Sequence, residues 1–209
     1  HSDGFIVFEI RPLNQEEQVE LSRRYWRYVD SSESEEADRR AQQYADRLQA
    51  ESNLASLTDT PVFLLMTLLL GRTSAEASSR WELHNACVEY LLNVQADRRS
   101  VWFEANSVEQ WRPANPEERL RAVTALAFRL RPFAESPDLA RAADMLPEGW
   151  PLERPSGMSL QRLRRGFISW LAGPAALLVE RMDGRFEFVH LSIQDFLAAW
   201  HLGSANCSL

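Results

Sequence analysis

Four histidines and two cysteines are the side chains of this 209-residue chain whose ordinary pKa lies nearest neutral pH. His190 follows an apolar strand and stands directly before a predicted helix. A helix N-terminus favours an anion and disfavours imidazolium, so a neutral ring there can donate one N–H to a phosphate beside orphan backbone donors. His84 and Cys87 lie one helical turn apart, a spacing that can supply two metal ligands. No second pair offers the other two of the four that structural zinc usually takes. No G-x-S-x-G elbow exposes a serine nucleophile. Arg162, Arg164 and Arg165 form a basic group on a predicted helix just before a hairpin, the place from which a winged-helix domain can read DNA.

Composition narrows these options. All 23 basic residues are arginines, which excludes a Schiff-base lysine and the lysine of a phosphate-binding loop, G-x-x-x-x-G-K-S/T. No catalysis is expected from this chain itself. A net charge of −7 disfavours a general binder of nucleic-acid backbones. Cys87 and Cys207 lie far apart, which suits unpaired thiols in a reducing, cytoplasmic compartment. The longest apolar run, Pro61 to Leu70, would span only about 15 Å as a helix against the ~30 Å of a bilayer core, so no membrane partner is expected.

The elements that must position these residues are mainly helical. Phe5 to Ile10 reads as a strand buried on both faces, and nothing nearby can pair with it, so the chain is expected to begin partway through a larger fold. Asn14 caps a helix through Val29, the acidic run Asp30 to Asp38 reads as a loop, and a polar helix spans about Asp38 to Glu51. Thr60 is the candidate cap of an apolar helix that starts at Pro61 and stops at Gly71. Trp81, His84, Val88, Leu91 and Leu92 mark a helix over Ser79 to Gln95. Asp97 to Pro116 shows no sustained period and reads as a connection. Helices follow at Glu117 to Leu130, Asp138 to Leu146 and Ser159 to Leu171.

A hairpin comes next, turning on Asp183-Gly184 as a two-residue loop. That register pairs Val179 with Phe188 and Arg181 with Phe186, and sets Glu180 opposite Glu187 at a cost of ~0.2 to 1 kcal/mol. The last helix has Ser192 as candidate cap, with Asp195 in the acidic place of a capping box. Ile193, Phe196, Leu197 and Trp200 face its core and His201 faces solvent. The fold class is therefore mainly α: a strand within residues 1–12, a helical domain over 13–96, a connection over 97–116, a winged-helix domain with a β-hairpin wing over 117–203, and a tail over 204–209.

Four segments, FEIRPLNQEE (Phe8–Glu17), TPVFLLMTLLL (Thr60–Leu70), WELHNACVEYLL (Trp81–Leu92) and FEFVHLSIQDFLAAWHL (Phe186–Leu202), give the chain from Phe5 to Leu202 a resemblance to the NACHT group of STAND signalling NTPases. The last segment is the most specific; the others persuade by order and spacing. The resemblance implies that residues 1–12 are the final strand of a P-loop domain whose phosphate loop is missing here, followed by the helical and winged-helix domains. It implies that Pro61 packs on adenine and that His190 reaches the β-phosphate of ADP in a closed resting state. Asp195 departs from the glutamate more usual after that histidine, which weakens the capping detail. ADP or ATP with Mg2+ is then expected in the intact parent, an ATPase, with no cofactor for this fragment alone. The implied partners are the upstream P-loop domain, a downstream sensor region and further copies on activation, in signalling or defence. Two other readings stay open, a DNA-binding winged-helix regulator and a passive helical interaction module.

Overall fold

The computed structural model describes residues 11–30, 34–50, 58–71, 79–103, 112–113, 115–132 and 135–206. The expected strand at Phe5 to Ile10 and Cys207 lie outside the described residues. What is described is mainly helical, with one two-stranded antiparallel sheet, and the chain divides into two compact units, residues 1–87 and 88–209.

In the first unit α1 spans Gln15–Asp30, α2 Ser34–Ala50 and α3 Pro61–Leu70. Asn14 Oδ1 accepts from Glu17 N at 2.9 Å while Asn14 N donates to Glu17 Oε2 at 2.9 Å, so two orphan donors at the start of α1 are satisfied reciprocally. The acidic run expected as a loop is helical from Ser34. Glu35 and Glu36 lie in the first turn of α2, where carboxylates complement the helix dipole, and Glu36 Oε1 accepts from Arg40 Nε at 2.9 Å one turn on. Trp26, Ala37, Tyr44, Leu64 and Leu68 form the buried cluster that joins the three helices.

Pro61 opens α3 as expected, but the Thr60 side chain makes no capping bond. Gly71 also differs from expectation. Its N–H donates to Thr67 O at 2.9 Å and its φ is −56°, so it continues helical backbone and is not a left-handed stop.

Helix α4, Arg80–Glu89, carries the chain across the division between units and leads into a π-helical turn, Tyr90–Gln95, and then α5, Ala96–Phe103. Helix thus replaces the first part of the expected connection. A π turn inserts an extra residue and rotates the apolar stripe. Of the marked stripe, His84, Val88, Leu91 and Leu92 are buried, whereas Trp81 is exposed. Arg119 braces the turn. Its Nη1 donates to Leu92 O at 3.0 Å and Asn93 Oδ1 at 2.9 Å, and its Nε to Pro113 O at 2.8 Å.

The rest of the second unit is α6 Pro116–Leu130, α7 Leu139–Asp144, α8 Leu160–Ala172, β1 Leu178–Glu180, β2 Phe186–Phe188 and α9 Leu191–Asn206. Helix α9 absorbs Ser204 to Asn206 of the expected tail. Side chains of Asn115, Asp138 and Ser159 accept from Glu117 N, Arg141 N and Arg162 N and so start α6, α7 and α8. Leu126, Leu163, Phe167, Ile168, Leu171 and Leu197 fill the core.

The hairpin register differs by one residue from expectation. Leu178 faces Phe188, Val179 faces Glu187 and Glu180 faces Phe186. The loop holds three residues, Met182 to Gly184, closed by Gly184 N donating to Arg181 O at 2.9 Å, and Gly184 takes φ +75°. This removes the Glu180–Glu187 repulsion and lets Glu187 pair with Arg181. His201 is also not solvent-facing. It is half-buried, its ring centroid 5.3 Å from that of Phe128, and Trp200 is half-buried at 5.5 Å from Phe196.

Two outcomes are expected. A Cβ at residue 184 would meet open space, so Gly184→Ala costs only backbone strain, ~1 to 2 kcal/mol, read as a lower urea midpoint. Burial, and then Arg129 and Arg121, lower the His201 pKa from 6.5. Folding therefore favours its neutral ring. Stability is full above 6.5 and falls as pH drops toward the lowered folded value. His201→Phe should flatten that fall below 6.5, as measured by denaturation at a series of pH values.

Candidate functional site

The hairpin delivers His190 to the start of α9. Because the helix begins at Leu191, the histidine itself is the cap, in place of Ser192. His190 O accepts from Ile193 N at 3.1 Å and Gln194 N at 3.2 Å. His190 Nδ1 accepts from Ser192 N at 3.1 Å and lies 2.7 Å from Ser192 Oγ. A backbone N–H can only donate, so Nδ1 carries a lone pair, the serine hydroxyl donates to it as well, and the ring proton sits on Nε2. Asp195 closes no capping box; its carboxylate pairs with Arg131 Nε at 2.7 Å.

The His190 side chain is exposed and borders a cleft of about 430 Å3 walled by Ser136, Phe186, Phe188 and Gln194. Two carboxylates also line it, and each has an arginine. Glu135 accepts from Arg185 Nη1 at 2.9 Å, and Glu187 pairs with Arg181. Arg185 is shared with Asp183, and the helix N-terminus adds its own positive end beside these pairs.

Pro61 lies in the first unit, half-buried at the first position of α3. Beside it, Asp59 Oδ1 and Thr60 Oγ1 are buried with no hydrogen-bond partner among the described residues. Buried polar atoms are normally satisfied, so these two oxygens are the most unusual feature of this corner. No sequence rule marks them. Pro61 and His190 belong to different units.

His84 and Cys87 are both buried in α4. His84 Nδ1 lies 2.7 Å from Arg80 O, which requires Nδ1 to donate, and its ring meets Phe63 edge-on at 5.2 Å. Burial pushes the Cys87 thiol up to about 12, so it remains a protonated thiol and not a metal-binding thiolate.

The three arginines of α8 separate. Arg162 and Arg165 are exposed, but Arg164 is buried: its Nη2 donates to Pro147 O at 2.7 Å and its Nε to Trp150 O at 3.2 Å. Burial, the largest influence, lowers its pKa, partly offset by Asp144. Arg164 is a brace for the 147–150 segment and is not part of a basic surface. Removing it by Arg164→Met should strand the Trp150 carbonyl, Pro147 O keeping its bond from Trp150 N, and lower stability by ~1 to 3 kcal/mol in urea denaturation, whereas Arg165→Ala should stay within ~0.5 kcal/mol. No family model, curated protein or solved structure matches the chain, so the functional reading rests on these side chains.

Proposed function

We propose that this chain is the helical plus winged-helix regulatory part of a NACHT-like STAND ATPase switch, with His190 as the group that senses the β-phosphate of ADP. One observation carries the reading. His190 gives its Nδ1 lone pair to the first turn of α9, so the remaining ring group is an N–H donor at a helix N-terminus, the arrangement a phosphate oxygen accepts from. Such a charge-assisted bond contributes ~1.5 to 3 kcal/mol.

The order of elements in the second unit supports the winged-helix part. Helix α6 is followed by a short bridge in which Asp138 pairs antiparallel with Arg185 and Phe186 N donates to Pro137 O at 2.8 Å, and then by α7, α8, the hairpin and α9. A three-helix core with a short strand and a hairpin wing has this order. In the first unit Pro61, half-buried at the first position of α3, is the ring this reading sets against adenine.

Phosphate and Mg2+ contacts belong to the upstream P-loop domain of the parent, which supplies the ATPase chemistry. ADP favours the closed state through the His190 bond, and replacing it with ATP removes that bias and frees the protein to oligomerise for cytoplasmic signalling or defence. The loss of Arg164 from the exposed face weighs against the DNA-binding alternative.

The test uses the parent protein with its P-loop domain. His190→Ala should weaken ADP binding roughly 10- to 100-fold, leave ATP binding within about twofold and increase the oligomer fraction in ADP. His190→Asn, which can still cap α9, should lose ADP affinity similarly. Unchanged ADP affinity with an unchanged oligomer fraction would overturn the role, and a parent that binds no nucleotide would leave the passive interaction module as the reading.

A further inference from the structure

Among the described residues Tyr90–Gln95 is the only stretch wound i→i+5, a winding that is rare in proteins and gathers at functional sites. Its sequence, YLLNVQ, contains no proline or glycine that would break an ordinary helix. A group outside the segment must therefore favour the π form.

Arg119 on α6 is placed to do so. Where i→i+5 winding gives way to i→i+4, one carbonyl is passed over, and with the turn ending at Gln95 and α5 starting at Ala96 the count falls on Leu92 O. That is the carbonyl Arg119 takes, its Nη1 donating at 3.0 Å. The same nitrogen reaches Asn93 Oδ1 at 2.9 Å while Nε donates to Pro113 O at 2.8 Å, so one planar fork ties the turn to the segment before α6. Leu92 is 2% exposed and Arg119 5%. Water has little access to the passed-over carbonyl, and without the guanidinium it would be a buried acceptor with no partner.

A second arginine contacts the segment on its far side. Arg112 donates to Asp97, the second residue of α5, while its guanidinium carbon stands 5.8 Å from the Trp170 ring centroid. If the turn were wound as α-helix, Asp97 would advance one helical place relative to Glu89, about 100° around the axis and about 1.5 Å along it. Its carboxylate would then turn away from Arg112.

We infer that Arg119 is a conformational latch: while its fork holds Leu92 O the segment stays π-wound, and withdrawal of the fork lets it pass to α, turning α5 and parting Asp97 from Arg112. All of these groups lie in the second unit, and none belongs to the His190 site. The latch therefore stands without the nucleotide reading.

The test uses the intact chain, isotope-labelled for NMR, because scalar coupling across a hydrogen bond names the carbonyl that each amide meets. Ala96 N should couple to the Leu91 carbonyl carbon in the unaltered chain and to that of Leu92 in Arg119→Gln. Deleting Val94, which is 40% exposed, removes the extra residue, so the chain should still fold with no carbonyl passed over. Arg119→Gln should then lower the urea midpoint by roughly half as much, or less, as it does with Val94 present. Coupling of Ala96 N to Leu92 in the unaltered chain, an unchanged Leu91 coupling in a folded Arg119→Gln, or equal midpoint losses with and without Val94 would overturn the latch. Should Arg119→Gln not fold alone, deletion of Val94 should restore its folding; failure of that rescue, or of the Val94 deletion itself to fold, also overturns it.

Discussion

The bond from Ser192 N–H to His190 Nδ1 sets where α9 starts, which nitrogen of the ring is protonated and where the hairpin must stop. Histidine is not among the favoured capping residues, so this joint depends on the strand that precedes it. Phe186 and Phe188 are buried, which fixes the alternation that leaves Glu187 and Val189 on the other side and brings the chain to position 190 in extended form. From there Ile193 and Leu197 enter the core one turn apart. The packing of α9 against α6 thus begins from a polar contact at the surface.

The second unit is held elsewhere by arginines acting on backbone carbonyls. Arg119 reaches Leu92 and Pro113, Arg129 reaches Met145 and Leu146 at 2.9 and 3.0 Å, and Arg164 reaches Pro147 and Trp150. Each guanidinium satisfies two acceptors at once, which a lysine ammonium on a flexible stem does with less geometric definition. The cost is desolvation. Burial pushes Arg119 down to about 10, with Arg112 adding to the fall and Asp97 opposing it. Among the described arginines Arg119 and Arg164 are buried braces, and a count of basic residues overstates by these two the charge offered to a partner.

The sequence made the local rules legible. Asn14, Asp138 and Ser159 each start a helix as their side chains suggest, because capping involves atoms two or three residues apart, whereas Asn115, read as part of the connection, also caps one. What it concealed depends on distant partners or on near-equal alternatives. Asp183-Gly184 suits both a two- and a three-residue loop, and the charges of Arg181 and Glu187 favour the longer one. Arg164 and Arg165 are adjacent and alike, yet a turn of about 100° between neighbours puts one under the 147–150 segment and the other in solvent. His190 was legible as a candidate by its place between strand and helix, whereas its use as the cap itself was not.

The tautomer of His190 also limits what kind of partner it can take. A metal ion at Nε2 would need that nitrogen's lone pair, so the proton would have to move to Nδ1, against the Ser192 N–H. Losing that contact forfeits a helix cap worth ~1 kcal/mol and places a cation at the positive end of the helix dipole. An anionic acceptor requires neither change. Its charge is favoured by the dipole, the Nε2 proton is already in place, and the nearby carboxylates Glu135 and Glu187 are each matched by an arginine. The direction of one hydrogen bond therefore selects an acceptor over a cation at this position, before any particular nucleotide is considered.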